Sequence, residues 1–107
     1  MANEFATLEV VKEGETTVVS FGGRQVLDQI NIAACRDQIT ELIKRHQTKT
    51  LVFDMLGVRF IPSGMLGLLA SLKDLVSRIQ ICNPSEDVLE VLGVTKLNQI
   101  FEVLETP

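Results

Sequence analysis

The order of short strand-like runs and helix-like segments is the feature of this sequence that most limits its fold. Residues 50–53, followed by Asp54, form a short apolar run that starts with a β-branched residue, which is typical of a buried central strand. Apolar residues recur at three- and four-residue steps over residues 32–47, which predicts an amphipathic helix with Asn31 as its N-cap. Residues 63–77 predict a second, largely buried helix. Its expected apolar stripe is Leu66, Leu69, Leu72, Leu75 and Val76.

Four further runs have the composition of strands. Residues 7–12 and 16–21 are β-prone and flank a short linker that contains a glycine, which predicts an antiparallel hairpin. Residues 78–82 alternate between polar and apolar side chains, as a half-buried strand does. A short apolar run within residues 96–103 favours one last strand.

A third helix is predicted over residues 85–92, with Asn83 or Ser85 as its cap and Gly93 as its end. The resulting element order is β-β-α-β-α-β-α with a short final strand. Strand–helix–strand units require right-handed crossovers between parallel neighbours. We therefore predict an α/β fold, a mixed sheet with helices mainly on one face, and a single domain over residues 1–107.

Charge and composition exclude several classes of partner. The chain has 10 Lys and Arg against 14 Asp and Glu, so its net charge of -4 argues against nucleic acid and anionic membrane surfaces. Cys35 and Cys82 lie far apart and outside any CxxC motif, and we interpret both as buried thiols. There is neither a signal sequence nor an apolar stretch long enough to span a membrane. We predict a cytoplasmic protein without direct membrane insertion.

The sequence carries no catalytic or metal-binding motif. Its one histidine, His46, falls near the end of the first helix, where a packing or C-terminal-turn role is expected. Metalloprotease, phosphate-loop, serine-hydrolase and calcium-loop motifs are missing. We therefore predict a protein that is not an enzyme and has no cofactor and no metal.

The junction between the central strand and the second helix concentrates polar groups. Asp54 ends the strand, a glycine-containing turn follows, and Ser63 precedes the helix, which places these groups near the carboxyl edge of the sheet. The unpaired N–H groups of a first helical turn could hold an anion or a phosphate on a neighbouring serine. Simpler roles remain open: Ser63 as a helix cap, Asp54 as an acceptor from the following turn, and Pro62 as a marker of the helix entry.

At this junction, residues 51–67 (LVFDMLGVRFIPSGMLG) resemble the central signature of the STAS domain, the family of anti-sigma factor antagonists. The family pattern is approximately a hydrophobic strand followed by D-L-S-G-V-x-F-I-D-S-S-G-L-G. Two flanking segments agree with this resemblance. They are Gly23-Arg24 with Leu27-Asp28, after an apparent insertion of Gln25 and Val26, and Leu92-Gly93 with Leu97, Ile100 and Phe101.

The resemblance implies a STAS-like sheet of four or five strands and a small regulatory module that binds a protein. In phospho-regulated members, the unphosphorylated protein binds an anti-sigma factor of serine kinase type, which then releases its sigma factor. Phosphorylation of a serine at the start of the second helix breaks that complex. A phosphate dianion in a docking surface is costly to desolvate and repels acidic groups of the partner.

The chain departs from the family pattern at the switch. Aligned without a gap, Pro62 takes the aspartate position, Ser63 the first serine, and Gly64 the serine that is usually phosphorylated. If the alignment is shifted by one residue, Ser63 pairs with the phosphorylated serine of the family instead. The preceding match of Phe60 and Ile61 to the family's F-I is then lost. Ser63 is the phosphorylation candidate in either alignment. The residues expected to bind the partner are Asp54, Arg59, Pro62, Ser63, Gly64 and Met65.

Three functions follow from this pattern. The first is an anti-sigma factor antagonist, switched off by phosphorylation of Ser63. The second is a constitutive scaffold, either in a stressosome or as a partner of a lipid-transport ATPase. The third is a small-molecule sensor or an unrecognised enzyme with a site near Asp54 and Ser63, which requires a cleft there. Self-association into a homo-oligomer stays open.

Overall fold

The computed structural model describes residues 9–21 and 31–104. This part of the chain contains five strands, three α-helices and two short 3-10 turns. The strands are β1 (Glu9–Lys12), β2 (Thr16–Ser20), β3 (Thr50–Asp54), β4 (Arg78–Cys82) and β5 (Glu102–Leu104). The helices are α1 (Ile32–His46), α2 (Ser63–Ser71) and α3 (Glu86–Val94), and the 3-10 turns are Leu72–Asp74 and Leu97–Gln99.

The five strands form one mixed sheet in the order β1-β2-β3-β4-β5. β1 is antiparallel to β2, and every later pair is parallel, with Val19, Phe53 and Ile81 in register across the middle. Each parallel connection moves one strand in the same direction, so right-handed crossovers place α1, α2 and α3 on one face. The predicted α/β fold, with its opening hairpin and central third strand, is confirmed.

The core lies between this face of the sheet and the helices. Leu51 and Phe53 of β3 are fully buried, and the rings of Phe21 and Phe53 stack with centroids 6.3 Å apart. Cys35 and Ile39 of α1 close the core from the other side, on the predicted stripe. Cys35 and Cys82 are both buried, as expected.

Polar side chains join β4 to β5 on the opposite face of the sheet. The Glu102 carboxylate accepts hydrogen bonds from Gln80 Nε2 at 3.0 Å and from Arg78 Nε at 3.1 Å, with Arg78 Nη2 also 2.8 Å away. The hydrogen bonds from Gln80 and Arg78 hold the pKa of Glu102 below its ordinary value. This cluster ties the short last strand to the sheet.

The end of α1 is fixed to the β1–β2 turn. The Gly14 carbonyl oxygen lies 3.0 Å from Thr17 Oγ1 and 2.8 Å from Thr48 Oγ1, and the two hydroxyls are 2.8 Å apart. His46 Nε2 lies 2.8 Å from Glu13 Oε1, at the last helical residue. The C-terminal-turn role predicted for this histidine is confirmed.

Two predicted helix ends differ from the structure. α2 ends at Ser71 and continues only as the 3-10 turn, so Leu75 is 46% exposed instead of lying on the buried stripe. α3 runs through Gly93, and the left-handed residue that follows the helix is Lys96, with φ of 63°. Of the alternative caps, Ser85 accepts the Val88 N–H at 3.2 Å.

The predicted cap of α1 is confirmed, because Asn31 Oδ1 accepts the Ala34 N–H at 2.9 Å. Two parts of the sequence pattern lie outside the described residues. They are the start of the first predicted strand at Thr7 and the segment with Gly23-Arg24 and Leu27-Asp28.

Candidate functional site

The loop between β3 and α2 begins with a tight turn. The Val58 N–H donates to the Met55 carbonyl oxygen at 2.9 Å, and Gly57 between them has φ of 86°. Glycine adopts this left-handed conformation without the steric cost of a side chain. The glycine predicted in this turn therefore reverses the chain directly after β3.

Three apolar side chains anchor the loop in the core, and the side chains between them face solvent. The anchors are Met55, Val58 and Ile61, each 5% exposed or less. The outward-facing residues are Leu56, Arg59 and Phe60. Leu56 is 67% exposed and Phe60 is 51% exposed, so two large apolar groups lie on the surface four positions apart. Neither residue was among the contact positions predicted from the sequence.

Asp54 holds the start of this loop and the end of the neighbouring strand together. Its Oδ1 accepts the Leu56 N–H at 3.1 Å, which confirms the turn-binding role considered from the sequence. The same oxygen accepts Asn83 Nδ2 at 3.1 Å. Asn83 has φ of 54°, a left-handed conformation that asparagine tolerates better than most residues. Asp54 is thus a structural acceptor at the carboxyl edge of the sheet.

The charge of Asp54 also acts on Cys82, its register partner on β4. Burial raises the pKa of the Cys82 thiol, and the nearby Asp54 carboxylate raises it further. Because thiolate is the nucleophilic form of cysteine, this environment disfavours the nucleophilic form of Cys82.

The first turn of α2 exposes a serine. Pro62 is the N-cap residue, with φ of -69°, and its carbonyl oxygen accepts the N–H groups of Met65 at 3.0 Å and Leu66 at 3.2 Å. Ser63 is the first helical residue and is exposed, and the helix start has no side-chain capping bond. The expectation that Ser63 caps the helix is therefore wrong, because Pro62 takes that position.

Gly64 lies against the beginning of α1. A Cβ atom built on Gly64 would come within 2.7 Å of Ile32 Cδ1, closer than side chains approach each other. A serine at position 64 would thus require the Ile32 side chain to move. This contact joins residues that are distant in sequence, so no local pattern could reveal it.

The residues expected to bind a partner differ in exposure and fall into three groups. Arg59, Ser63 and Gly64 are exposed, and Asp54 and Pro62 are half-buried. Met65 is only 1% exposed and packs in the core, which corrects its expected place on the contact surface. Met65 lies on the same buried face of α2 as Leu69, four residues further on.

Within residues 9–21 and 31–104, no group of three His, Cys, Asp or Glu side chains could hold a metal ion. In the same part of the chain, no helix is both long and apolar enough to cross a membrane. The site therefore consists of an exposed hydroxyl, a helix N-terminus, a guanidinium and two exposed apolar groups. Phe60 and Arg59 in particular suit protein binding, since aromatic and arginine side chains are enriched at protein interfaces.

Comparison with known proteins identifies the family. The sequence profile of the STAS domain matches residues 7–107. No curated protein sequence shows significant similarity to the chain. Among solved structures, an anti-sigma-factor antagonist (STAS) domain protein from Planctomyces limnophilus has 23% identity and a TM-score of 0.75. That comparison covers 95% of this chain and 92% of the other.

The anti-sigma factor antagonist SpoIIAA is similar in two solved forms. Its unphosphorylated form has 23% identity and a TM-score of 0.70, over 90% of this chain and 84% of SpoIIAA. The phosphorylated form of SpoIIAA, described as a Bacillus cell fate determinant, has 21% identity and a TM-score of 0.63, over 90% and 87%. The profile match covers almost the whole chain and the fold agrees, so the chain belongs to the STAS domain family.

Proposed function

We propose that this STAS domain is an anti-sigma factor antagonist that binds an anti-sigma factor of serine kinase type. Its contact surface, here called the loop surface, consists of Leu56, Arg59, Phe60, Ser63 and Gly64. The observation that carries the proposal is the exposure of Leu56 and Phe60 on a loop that Met55, Val58 and Ile61 anchor in the core. Large exposed apolar groups beside a cation are a common composition for the centre of a protein interface.

The anchoring of the loop favours binding. Met55 and Val58 fix the backbone, so docking orders few further degrees of freedom. Burying one large apolar side chain contributes about 1.5–3 kcal/mol before the costs of association are counted. Removing Leu56 or Phe60 should therefore weaken the complex strongly.

Phosphorylation of Ser63 is the switch in this proposal. The hydroxyl is exposed at the first helical position, within reach of a kinase. A phosphate there would place a charge of about -1.5 to -2 in the middle of the loop surface. The similarity to SpoIIAA, which is solved in phosphorylated and unphosphorylated forms, supports such a switch. The proposal also assigns the protein to the cytoplasm, with no catalytic activity of its own and no cofactor.

The test is a binding titration against a serine-kinase anti-sigma factor from the same organism, with ADP or ATP present. We expect binding with ADP, loss of the complex after incubation with ATP, and phosphate on Ser63 by mass spectrometry. Leu56→Ser and Phe60→Ser should each weaken binding by roughly tenfold or more. Val94→Ser is the matched control, because Val94 is an apolar residue of α3 that is 77% exposed.

Ser63→Glu and Ser63→Ala separate charge from loss of the hydroxyl. The glutamate variant should bind weakly with either nucleotide, and the alanine variant should bind with both. If the two variants bind as tightly as the unaltered protein and no phosphate is found, the switch is wrong. If Leu56→Ser and Phe60→Ser also have no effect, the loop surface is wrong as well.

A second candidate function is a constitutive scaffold, and the contact between Gly64 and Ile32 favours it. The serine that the family usually phosphorylates corresponds to Gly64 in the gapless alignment, and Ile32 Cδ1 occupies the space for a side chain there. A scaffold would form a complex whose affinity is the same with ADP and with ATP, and the protein would carry no phosphate. The same titration distinguishes this function from the first.

A further inference from the structure

A cleft of about 490 Å³ lies between the first half of α1 and the outer side of α2. Its main lining residues are Ile32, Arg36, Gly64, Gly67, Leu68 and Ser71. The cleft shares only Gly64 with the loop surface, and its lining includes neither Asp54 nor Ser63. It is therefore a different location from the sheet edge at which the sequence suggested a small-molecule site.

Glycine residues of α2 give the cleft its shape. At one end, Ile32 lies over Gly64, where a Cβ would be only 2.7 Å from the isoleucine side chain. One turn further along α2, a Cβ on Gly67 would meet no atom within 4 Å, so the cleft is open there. The side chain of Leu68 is 5% exposed and forms an apolar wall. The space is thus narrow at Gly64 and free at Gly67.

A single cation lines this space. Arg36 is exposed and lies four residues after Ile32, on the same side of α1. It forms no ion pair with any residue that the structure describes, and no described acidic residue lines the cleft. The adjacent Asp37 points in a different direction, because consecutive helical residues do not share a face. The Ser71 hydroxyl already donates to the Leu68 carbonyl oxygen at 2.7 Å.

We propose that this cleft binds a free medium-chain carboxylate, with the alkyl chain along Gly67 and Leu68 and the carboxylate on Arg36. The segment of α2 from Gly64 to Ser71 is about 10 Å long, which suits a short alkyl chain. The volume lies within the range of small-molecule sites, about 300–1,000 Å³. This inference does not depend on the proposed function.

The test is a titration of the ¹⁵N-labelled protein with sodium octanoate below its micelle concentration, followed by amide chemical shifts. Saturable shifts are expected at Arg36, Gly64 and Gly67. 1-Octanol, which has no charge, should bind about fivefold more weakly, because an exposed ion pair is worth at most about a factor of five. Octylammonium should bind more weakly than 1-octanol, because its positive charge is repelled by Arg36. These two probes isolate the contribution of the carboxylate.

Two variants test the walls of the cleft. Gly67→Leu should abolish saturable binding by filling the open space, and it should keep the helix because leucine has the higher helix propensity. Arg36→Gln should weaken octanoate binding about fivefold and leave 1-octanol binding unchanged. The matched controls are Gly93→Leu, at an exposed helical glycine of α3, and Arg45→Gln, at an exposed arginine of α1. Both controls should bind octanoate as the unaltered protein does.

Several results would overturn the inference. They are shifts that never saturate, saturable shifts outside the cleft, equal affinity for octanoate and 1-octanol, or unchanged binding by Gly67→Leu. If Gly67→Leu instead weakens the complex with an anti-sigma factor and octanoate does not bind, the cleft is a protein contact and the ligand proposal is wrong. A failed octanoate titration leaves the proposed function unaffected, since the loop surface is tested by Leu56→Ser and Phe60→Ser.

Discussion

Asn83 donates a hydrogen bond to Asp54 at 3.1 Å and thereby joins the carboxyl ends of two neighbouring parallel strands. The backbone of Asn83 is left-handed, so two properties of this residue are used at once: its amide and its tolerance of positive φ. The bond lies directly before the turn that carries the loop surface. Replacing Asn83 should therefore lower the free energy of unfolding for two separable reasons, loss of the hydrogen bond and strain at positive φ.

Replacing Asn83 with glycine or alanine separates these causes. Asn83→Gly keeps the left-handed backbone and loses the hydrogen bond, which should cost about 1 kcal/mol of unfolding free energy. Asn83→Ala should cost about 1 kcal/mol more, because alanine is strained at positive φ. Urea unfolding measures both values. Equal losses for the two variants would show that backbone strain plays no part.

The contact between Gly64 and Ile32 predicts coupling between the two positions. Gly64→Ser should be better tolerated when Ile32→Val has removed the atom 2.7 Å from the new Cβ. A double-mutant cycle on unfolding free energies should give a favourable coupling of about 0.5–1 kcal/mol. Gly67→Ala is the control, because nothing lies within 4 Å of its Cβ. Coupling of the same size between Gly67→Ala and Ile32→Val would contradict the steric explanation.

The buried hydroxyls of Thr17 and Thr48 should matter for stability. Thr48→Val removes the hydroxyl that lies 2.8 Å from both the Gly14 carbonyl oxygen and Thr17 Oγ1. Leaving buried polar groups without this partner should cost about 1–3 kcal/mol. Thr48→Ser, which keeps the hydroxyl, should lower the free energy of unfolding clearly less than Thr48→Val does. Thermal or urea unfolding of the two variants gives the comparison, and equal losses would contradict the role assigned to the hydroxyl, because Thr48→Val keeps the methyl group.

Substitutions in the β3–α2 loop should lower the free energy of unfolding strongly at buried positions and little at exposed positions. Leu56→Ser and Phe60→Ser change exposed side chains and should alter stability by no more than about 0.5 kcal/mol. Val58→Ala removes two methyl groups from a fully buried site and should cost about 1.5–3 kcal/mol. Denaturant unfolding tests the contrast. A large loss in Leu56→Ser or Phe60→Ser would mean that these side chains serve the fold instead of a partner.

The cluster around Glu102 predicts a dependence on pH. Its pKa is lowered in the folded state, chiefly by hydrogen bonds from Gln80 and Arg78. The stabilisation is therefore complete above the ordinary glutamate pKa and is lost as pH falls through the lower, folded value. An NMR titration of the side-chain carboxyl between about pH 2 and 6 should show the lowered midpoint. In Arg78→Met the midpoint should rise, and an unchanged midpoint would contradict the assigned cause.

Local patterns predicted the elements and their order well, because strand alternation, helical periodicity and caps act over a few residues. Asn31 illustrates this: its place before an apolar stripe identified it as a cap, and its side chain bonds the first turn of α1. The assumption of right-handed crossovers then placed the helices on one face. The end of α2 was less predictable, because its apolar period continues to Leu75 although the helix does not.

The candidate site was predicted in position and less well in detail. The sequence located the junction of β3 and α2, but the cap role considered for Ser63 and the surface role expected for Met65 were both wrong. Both errors concern which side chains of the first turn of α2 face the core, and tertiary packing decides this. The contact of Gly64 with Ile32 and the bond from Asn83 to Asp54 join distant residues, and a single sequence does not reveal such pairs.

In the β3–α2 loop, residues that pack in the core alternate with residues that face solvent. Different positions of one short segment therefore serve the fold and the exposed surface. Met55, Val58 and Ile61 pack in the core, whereas Leu56, Arg59 and Phe60 face solvent. Substitutions at the outward positions can therefore accumulate at small cost in stability. Domains of this architecture can diverge in what they bind while the backbone that presents the contact residues stays the same.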